Sequence, residues 1–258
     1  MQKIEPTKHN NINNLLSDLL RQIQRALGNK LLGLYLYGSL ASGDFDKKFS
    51  DIDLLAVTKS TITSKELKTL KITHADFAKR HKNWNDRIEV QYFSVSGLNK
   101  FKSRTSKMAN ISPGEPLHMV KANLDWLMNW YFVQENGIVL FGPLPKFIPH
   151  ISKIEFLDSV KKHALQWKDY AVNTKNSRGY QAYAILTMCR AVYTLKHKKQ
   201  TSKIKSAAWF QKEFSQWANL IKKALKWRKS SRNSIMNHKL TYPETEKFIG
   251  FTTRLIRR

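Results

Sequence analysis

Apolar and polar positions follow two different periods along the chain, and the change falls near residue 150. Short apolar runs indicate buried strands at 31–37, 52–57, 87–95 and 138–141. Helical spacing of apolar residues predicts helices at 12–27, 64–80 and 115–135, the first of them stopped by Gly28. After residue 150 the pattern is helical throughout, at 152–173, 178–197, 203–226 and 241–256. The sequence therefore predicts an α/β unit followed by an all-α unit.

The boundary between these units is marked by three prolines within seven residues, Pro143, Pro145 and Pro149. Closely spaced prolines without apolar periodicity are typical of a linker. We therefore predict a first domain at 1–145 and a second at 146–258.

The charge balance is unusual. Lys and Arg total 45 against 19 Asp and Glu, a formal net charge of +26, and only six of the acids lie after residue 150. Such a field attracts polyanions, including nucleoside triphosphates and nucleic acids. General lysine enrichment, which serves solubility alone, explains the same numbers and stays open.

Cysteine content and hydropathy indicate the compartment. The lone Cys189 excludes an intrachain disulfide, so a reducing cytoplasm is expected. It lies in an apolar helical pattern, which favours a small core residue over the alternative of a reactive thiol. Since the longest apolar run, 31–37, is far shorter than the ~20 residues of a membrane-spanning helix, no membrane association is expected.

The candidate chemistry begins where the first strand ends. Gly38–Ser39 follows that strand, and Asp51 and Asp53 open the second strand after a polar segment at 40–50, read as a tight loop or short helix. Residues two apart in a strand face the same side, so the two carboxylates lie together and repel each other unless a cation intervenes. Magnesium prefers such oxygen ligands and shares them with phosphates.

A third acid, Glu89, lies in the third strand on the same face as Arg87 and Gln91. If this strand neighbours the second, Glu89 joins Asp51 and Asp53, either as a metal ligand or as a base that takes a proton from a hydroxyl. An Asp-x-Asp pair alone is often only a strand-edge or capping pair. The combination with Gly38–Ser39 and Glu89 favours a catalytic site.

This combination resembles a known signature. The segment YGSLASGDFDKKFSDIDLL resembles the signature of the DNA polymerase β-type nucleotidyltransferase superfamily, and its nearest branch is the streptomycin/spectinomycin (aminoglycoside) adenylyltransferases. The resemblance extends to RIEV around Glu89, IVLFGP at 138–143, ILTMCRAVY at 185–193 and SKIKSAAW at 202–209. It implies an α+β fold, with a nucleotidyltransferase domain containing a mixed sheet and then a helical bundle.

The resemblance also implies an activity, the transfer of AMP from ATP to an antibiotic hydroxyl. Magnesium would be held by Asp51, Asp53 and Glu89, and Glu89 would also be the catalytic base. Nucleotide contacts would come from Gly38, Ser39, Ser50, Arg190, Lys203 and Phe251. Two alternatives stay open: Arg190 and Lys203 as solvated or ion-paired helix residues, and Phe251 as a core residue.

The acceptor is less well specified. Acids that the family uses for its cationic substrate fall here on Asn176 and Tyr180, and a basic helical domain opposes a polycation. The same transfer to a protein side chain, a nucleic-acid end or another small alcohol is the first alternative, although no RNA-binding motif is recognisable. A non-catalytic basic nucleotide- or nucleic-acid-binding module is the second. A monomer is expected.

Overall fold

A computed structural model describes residues 6–228 and 238–257. The chain divides into two compact units, Met1–Ile151 and Ser152–Arg258. This division lies a few residues beyond the boundary predicted from the prolines.

The first unit combines helices with strands. Its elements, in chain order, are α1 Asn10–Leu27, β1 Leu31–Tyr37, α2 Gly38–Ala41, β2 Ile52–Thr58, α3 Ser64–Arg80, β3 Ile88–Ser94, α4 Val95–Lys100, β4 Ser106–Ser112, β5 Glu115–Ala122, α5 Leu127–Asn136 and β6 Ile138–Phe141. In the described part of the chain, the strands form one sheet of six in the order β5-β4-β3-β2-β1-β6. Strands β2 and β3 are parallel, whereas β1 is antiparallel to both of its neighbours. The predicted mixed sheet is confirmed.

The two faces of the sheet have different surroundings. One face packs with α1 and α3 into an apolar core that includes Leu36, Leu54 and Val90, one residue from each central strand. Side chains alternate between faces along a strand, so their neighbours Tyr37, Asp53 and Glu89 lie on the opposite face. Trp130 of α5 packs on that opposite face, with its ring stacked 5.0 Å from Phe93 of β3. The core thus fixes the strands that carry the predicted acids.

Two elements of the first unit differ from the sequence prediction. The helix predicted at 115–135 is wrong over 115–122, which forms β5. The segment between this helix and the strand predicted at 87–95, for which the sequence predicts no element, contains α4 and β4. The strands pair as a hairpin in which Ser112 faces Glu115 across Pro113–Gly114. Gly114 has φ +83°, which suits the turn. Cross-strand pairing therefore decides this region, where the apolar period is weak.

A buried histidine lies between α3 and the sheet. His74 Nε2 is 2.8 Å from the Tyr92 hydroxyl, and the His74 side chain is buried. Burial lowers the pKa of His74 to about 4. In the unfolded chain the His74 ring takes up a proton below about pH 6.5. In the folded chain the ring does not take up that proton until the pH approaches 4.

We therefore expect the folded state to lose stability as the pH falls from 6.5 towards 4, by about 3 kcal/mol from this residue alone. His74→Gln should reduce the slope of unfolding free energy against pH in this window, measured by urea unfolding. His150→Gln, at an exposed histidine of the same unit, is the control and should keep the wild-type slope. An unchanged slope in His74→Gln would contradict the assignment.

The second unit is helical. Its helices are α6 Lys153–Tyr170, α7 Arg178–His197, α8 Lys203–Glu213, α9 Ala218–Trp227 and α10 Tyr242–Arg257. Serine hydroxyls cap the first turns of α6, α7 and α8, since Ser152, Ser177 and Ser202 each accept a backbone N–H. The helix predicted at 203–226 is interrupted at Phe214, where φ −131° and ψ 73° leave the helical region. The predicted all-α character of this unit is confirmed.

Helix α7 is the centre of the second unit, because α6, α8, α9 and α10 all contact it. Cys189 lies on this helix, is fully buried, and belongs to the core as predicted. Burial raises the pKa of its thiol. None of the described helices is both long enough and apolar enough to cross a bilayer.

Candidate functional site

The candidate site lies where β1, β2 and β3 run side by side. In the sheet register Tyr37 pairs with Asp53, and Asp53 pairs with Glu89. The condition set from the sequence, that the third strand neighbours the second, is met. Asp51 lies directly before the first residue of β2. The fold places Asp53 beside Glu89, and Asp51 is near enough to Glu89 for their charges to interact.

Gly38 fits closely against one of these acids. Its φ is +74°, in the left-handed region, and a Cβ placed on it would overlap Asp53 Oδ2 and lie 2.8 Å from Asp53 Cγ. Only glycine tolerates both this conformation and this approach. The chain turns here directly from β1 into α2, so the backbone after the strand passes beside the carboxylate.

The two predicted serines have different surroundings. Ser39 accepts hydrogen bonds at its carbonyl from Asp44 N and Ser42 Oγ, while its own hydroxyl has no hydrogen-bond partner among the described residues. Ser50 is buried, and its Oγ accepts a hydrogen bond of 2.9 Å from Asp46 N. Ser50 therefore shapes the loop before Asp51, and its predicted phosphate contact stays a prediction.

Electrostatics couple the acids. Burial raises the pKa of Glu89, and the negative charges of Asp51 and Glu115 raise it further, against hydrogen bonds from Gln91 and Tyr37 that lower it. Burial also raises the pKa of Tyr37, with Glu89 and Asp53 acting in the same direction. Tyr37 therefore keeps its proton at neutral pH. A divalent cation between the carboxylates would relieve their repulsion.

The three acids offer the type of ligand atom that magnesium prefers. Asp51, Asp53 and Glu89 supply hard oxygen ligands beside a backbone that approaches closely at Gly38, as a metal shared with phosphates requires. Within 6–228 and 238–257, no group of three or more His, Cys, Asp or Glu side chains is gathered in the arrangement of a metal site. The metal assignment stays a prediction.

Arg87 anchors the loop that ends directly before Asp51. Its guanidinium donates hydrogen bonds to the backbone carbonyls of Lys47, at 2.9 Å, and Ser50. It also lies 4.3 Å from the centre of the Trp84 ring. The sequence placed Arg87 on the Glu89 face without assigning it a role. Its contacts link the start of β3 to the residue before Asp51.

A buried hydrogen-bond network adjoins Glu89. Tyr37 OH is 3.2 Å and Gln91 Nε2 is 3.0 Å from Glu89 Oε1. Gln91 Nε2 also donates to Tyr37 OH at 2.7 Å, and Trp130 Nε1 donates to Gln91 Oε1 at 3.2 Å. Sequence reasoning missed this network. The available signal was Gln91, a polar residue in an apolar strand, two residues after Glu89.

The other predicted nucleotide contacts lie in the second unit. Arg190 is on α7, and Lys203 begins α8 with its Nζ 4.3 Å from the centre of the Tyr183 ring. Phe251 on α10 packs its ring against Phe214 and Trp217, with centroid distances of 5.5 and 5.6 Å. The core alternative for Phe251 agrees with these contacts. The predicted closure of these residues onto a triphosphate stays a prediction.

Comparison with known proteins places both units. Residues 16–108 match the family model described as nucleotidyltransferase domain. Residues 146–253 match the model described as aminoglycoside adenylyltransferase, C-terminal domain. No curated protein sequence is significantly similar to the chain.

Among solved structures, the fold is similar to that of the spectinomycin adenyltransferase AAD(9) from Enterococcus faecialis with ATP and spectinomycin. The TM-score is 0.74 at 16% identity, over 95% of this chain and 99% of the other. At this identity the likeness establishes the fold. Since the two family models together span most of the chain, the protein is a nucleotidyltransferase enzyme and belongs to the aminoglycoside adenylyltransferase family.

Proposed function

We propose that the protein transfers AMP from ATP to a hydroxyl group of an aminoglycoside-type antibiotic, with magnesium held by Asp51, Asp53 and Glu89. The two family models support this class of reaction. The structural relative that holds ATP and spectinomycin supports both substrates. The observation that carries the proposal is the pairing of Asp53 with Glu89 on adjacent parallel strands, with Gly38 against Asp53.

Glu89 is the base in this reaction. It accepts the proton of the acceptor hydroxyl as the oxygen forms a bond to the α-phosphorus of ATP, and the bond to the departing pyrophosphate breaks. Burial raises the pKa of Glu89, which makes it a better proton acceptor once it is ionised. Bound magnesium would neutralise charge on the phosphates and stabilise the attacking and leaving oxygens. No covalent enzyme intermediate is required.

In this proposal the phosphates lie against Gly38, Ser39 and Ser50 of the first unit. Gly38 allows close approach, Ser39 offers its hydroxyl, and Ser50 holds the loop beside them. Arg190 and Lys203 would supply positive charge, and Phe251 stays a predicted adenine contact beside its packing against Phe214 and Trp217. One acid, Glu213, lies between residues 170 and 240, and it pairs with Lys196. The scarcity of acids there favours phosphate as a partner of the basic helices.

The acceptor should carry few positive charges. After residue 150 the chain has 24 basic and six acidic side chains, so a polycation meets repulsion on approach. Tyr180, at a position where the family uses an acid, is exposed and uncharged. Among aminoglycoside-type acceptors, spectinomycin is therefore favoured over the more highly charged streptomycin.

The direct test is to incubate the purified protein with ATP, magnesium and a panel of antibiotics, and to follow pyrophosphate release and the mass of each antibiotic. We expect a gain of one AMP on spectinomycin, abolished by chelating the magnesium. Reactions without acceptor give the background rate of ATP hydrolysis. The absence of AMP transfer to every antibiotic of the panel would contradict the proposed acceptor class.

The net charge of +26 supports a second candidate, the same transfer to an anionic acceptor such as a nucleic-acid end. Binding to RNA or DNA would then weaken steeply as salt is added. Labelling of RNA by radioactive ATP, with antibiotics inert in the same assay, would favour this candidate.

A further inference from the structure

The network beside Glu89 has a defined direction. Trp130 Nε1 is a donor only, so the Gln91 amide must present its oxygen to Trp130 and its nitrogen to Tyr37 and Glu89. Trp130 is itself fixed, since its ring stacks on Phe93 and meets Phe101 edge-on at 4.5 Å. The buried indole therefore determines how the amide is turned.

The Tyr37 hydroxyl is oriented in the same way. It accepts hydrogen bonds from Gln91 Nε2 at 2.7 Å and from Asn129 Nδ2 at 3.3 Å. Its single proton is then left for Glu89 Oε1, at 3.2 Å. Every donor of the network thus leads to one oxygen of the carboxylate. No hydrogen bond reaches Glu89 Oε2 from the residues that the structure describes.

We propose that Tyr37 and Gln91 are positioning residues, which hold Glu89 by Oε1 so that Oε2 is the oxygen presented to the reacting hydroxyl. This inference rests on the proposed role of Glu89 as base. Their hydrogen bonds to one oxygen restrict rotation of the carboxylate about its terminal torsion, which is otherwise soft. Two fully buried partners hold their own positions through packing, as Gln91 and Trp130 are both 0% exposed. Neither Tyr37 nor Gln91 contacts the reactants in this proposal.

The test exploits two tyrosines on one face of β1. Tyr37→Phe removes the hydroxyl that donates to Glu89, whereas Tyr35→Phe removes a hydroxyl that donates to the carbonyl of Pro143 at 2.9 Å. Among the described residues, the Tyr37 hydroxyl makes three hydrogen bonds and the Tyr35 hydroxyl makes one, so thermal unfolding of both variants first sets an assay temperature at which each is fully folded. We expect kcat to fall about 10- to 100-fold in Tyr37→Phe alone, with unchanged KM for ATP and unchanged ATP affinity by calorimetry.

A double-mutant cycle separates positioning from an independent role. In a Glu89→Gln background, Tyr37→Phe should cause no further loss of the residual rate, because the residue acts through Glu89. An equal fold-loss in both backgrounds, or an undiminished kcat in Tyr37→Phe, would overturn the inference. If Tyr37→Phe does not fold, Gln91→Met replaces it in the same experiment. This variant lacks the amide N–H groups that donate to Tyr37 and Glu89, and the same outcomes support or overturn the inference. If Glu89→Gln itself keeps the wild-type kcat, the assignment of Glu89 as the base is wrong. This single variant is measured first, so that result is distinguished from a failure of the positioning role.

Discussion

Replacing Glu89 by glutamine is expected to slow AMP transfer about 10²- to 10⁴-fold, the range that a general base contributes. The substitution keeps the size of the side chain and an oxygen that accepts from Tyr37 and Gln91, but removes the ability to take a proton. ATP affinity should stay close to that of the wild type. Pyrophosphate release measures the rate, and calorimetry with ATP and magnesium measures binding.

The matched control for this change is Glu115→Gln. Glu115 is an exposed acid whose negative charge helps to raise the pKa of Glu89, so the variant removes one charge nearby without touching the base. Its rate should differ from the wild type by less than about fivefold, as expected for an exposed charge. Wild-type activity in Glu89→Gln would contradict the assignment of the base.

Gly38→Ala is expected to reduce activity about a hundredfold, because the added Cβ overlaps Asp53 Oδ2 and displaces that carboxylate. A misplacement of about 1 Å at a reacting centre costs on this scale. The left-handed backbone adds a stability cost of about 1–2 kcal/mol for any non-glycine residue. Steady-state kinetics and thermal unfolding of the same preparation distinguish the two effects.

Gly43→Ala provides the control for the backbone cost. Gly43 has φ +76°, almost the angle of Gly38, yet nothing lies within 4 Å of a Cβ placed there. The two variants should therefore lose similar stability, while Gly43→Ala keeps its activity. If both variants were equally active, close contact between Gly38 and Asp53 would have no bearing on the reaction.

The faces of the strands that carry the acids could be predicted, because the two-residue period of strands decides which side chains share a face. It placed Asp51 with Asp53 and Glu89 with Gln91, and left open only the order of the strands. That order depends on the parallel pairing of β2 with β3, which the structure supplies. The helices of the second unit were also predictable, because the helical period is strong and serine caps mark three of the helix starts.

Two features could not be predicted for a shared physical reason. The hairpin of β4 and β5 is stabilised by pairing between strands rather than by an apolar pattern within either one, so the sequence pattern at 115–122 predicts helix instead. The Tyr37–Gln91–Trp130 network depends on single hydrogen bonds between residues as many as 54 positions apart. Trp130 is buried in the core, but the apolar period of its helix carries no information on where the indole N–H points.

The position of Cys189 makes the second unit observable on its own. Since it is the only cysteine in the chain and lies at the centre of α7, a thiol reagent reaches it only when the helices around it separate. The first unit contributes no signal to such labelling. The rate of thiol modification in mild denaturant therefore reports how often the helical unit opens. If a bound nucleotide slows this modification, the decrease in rate measures how much the nucleotide stabilises the helical unit against opening.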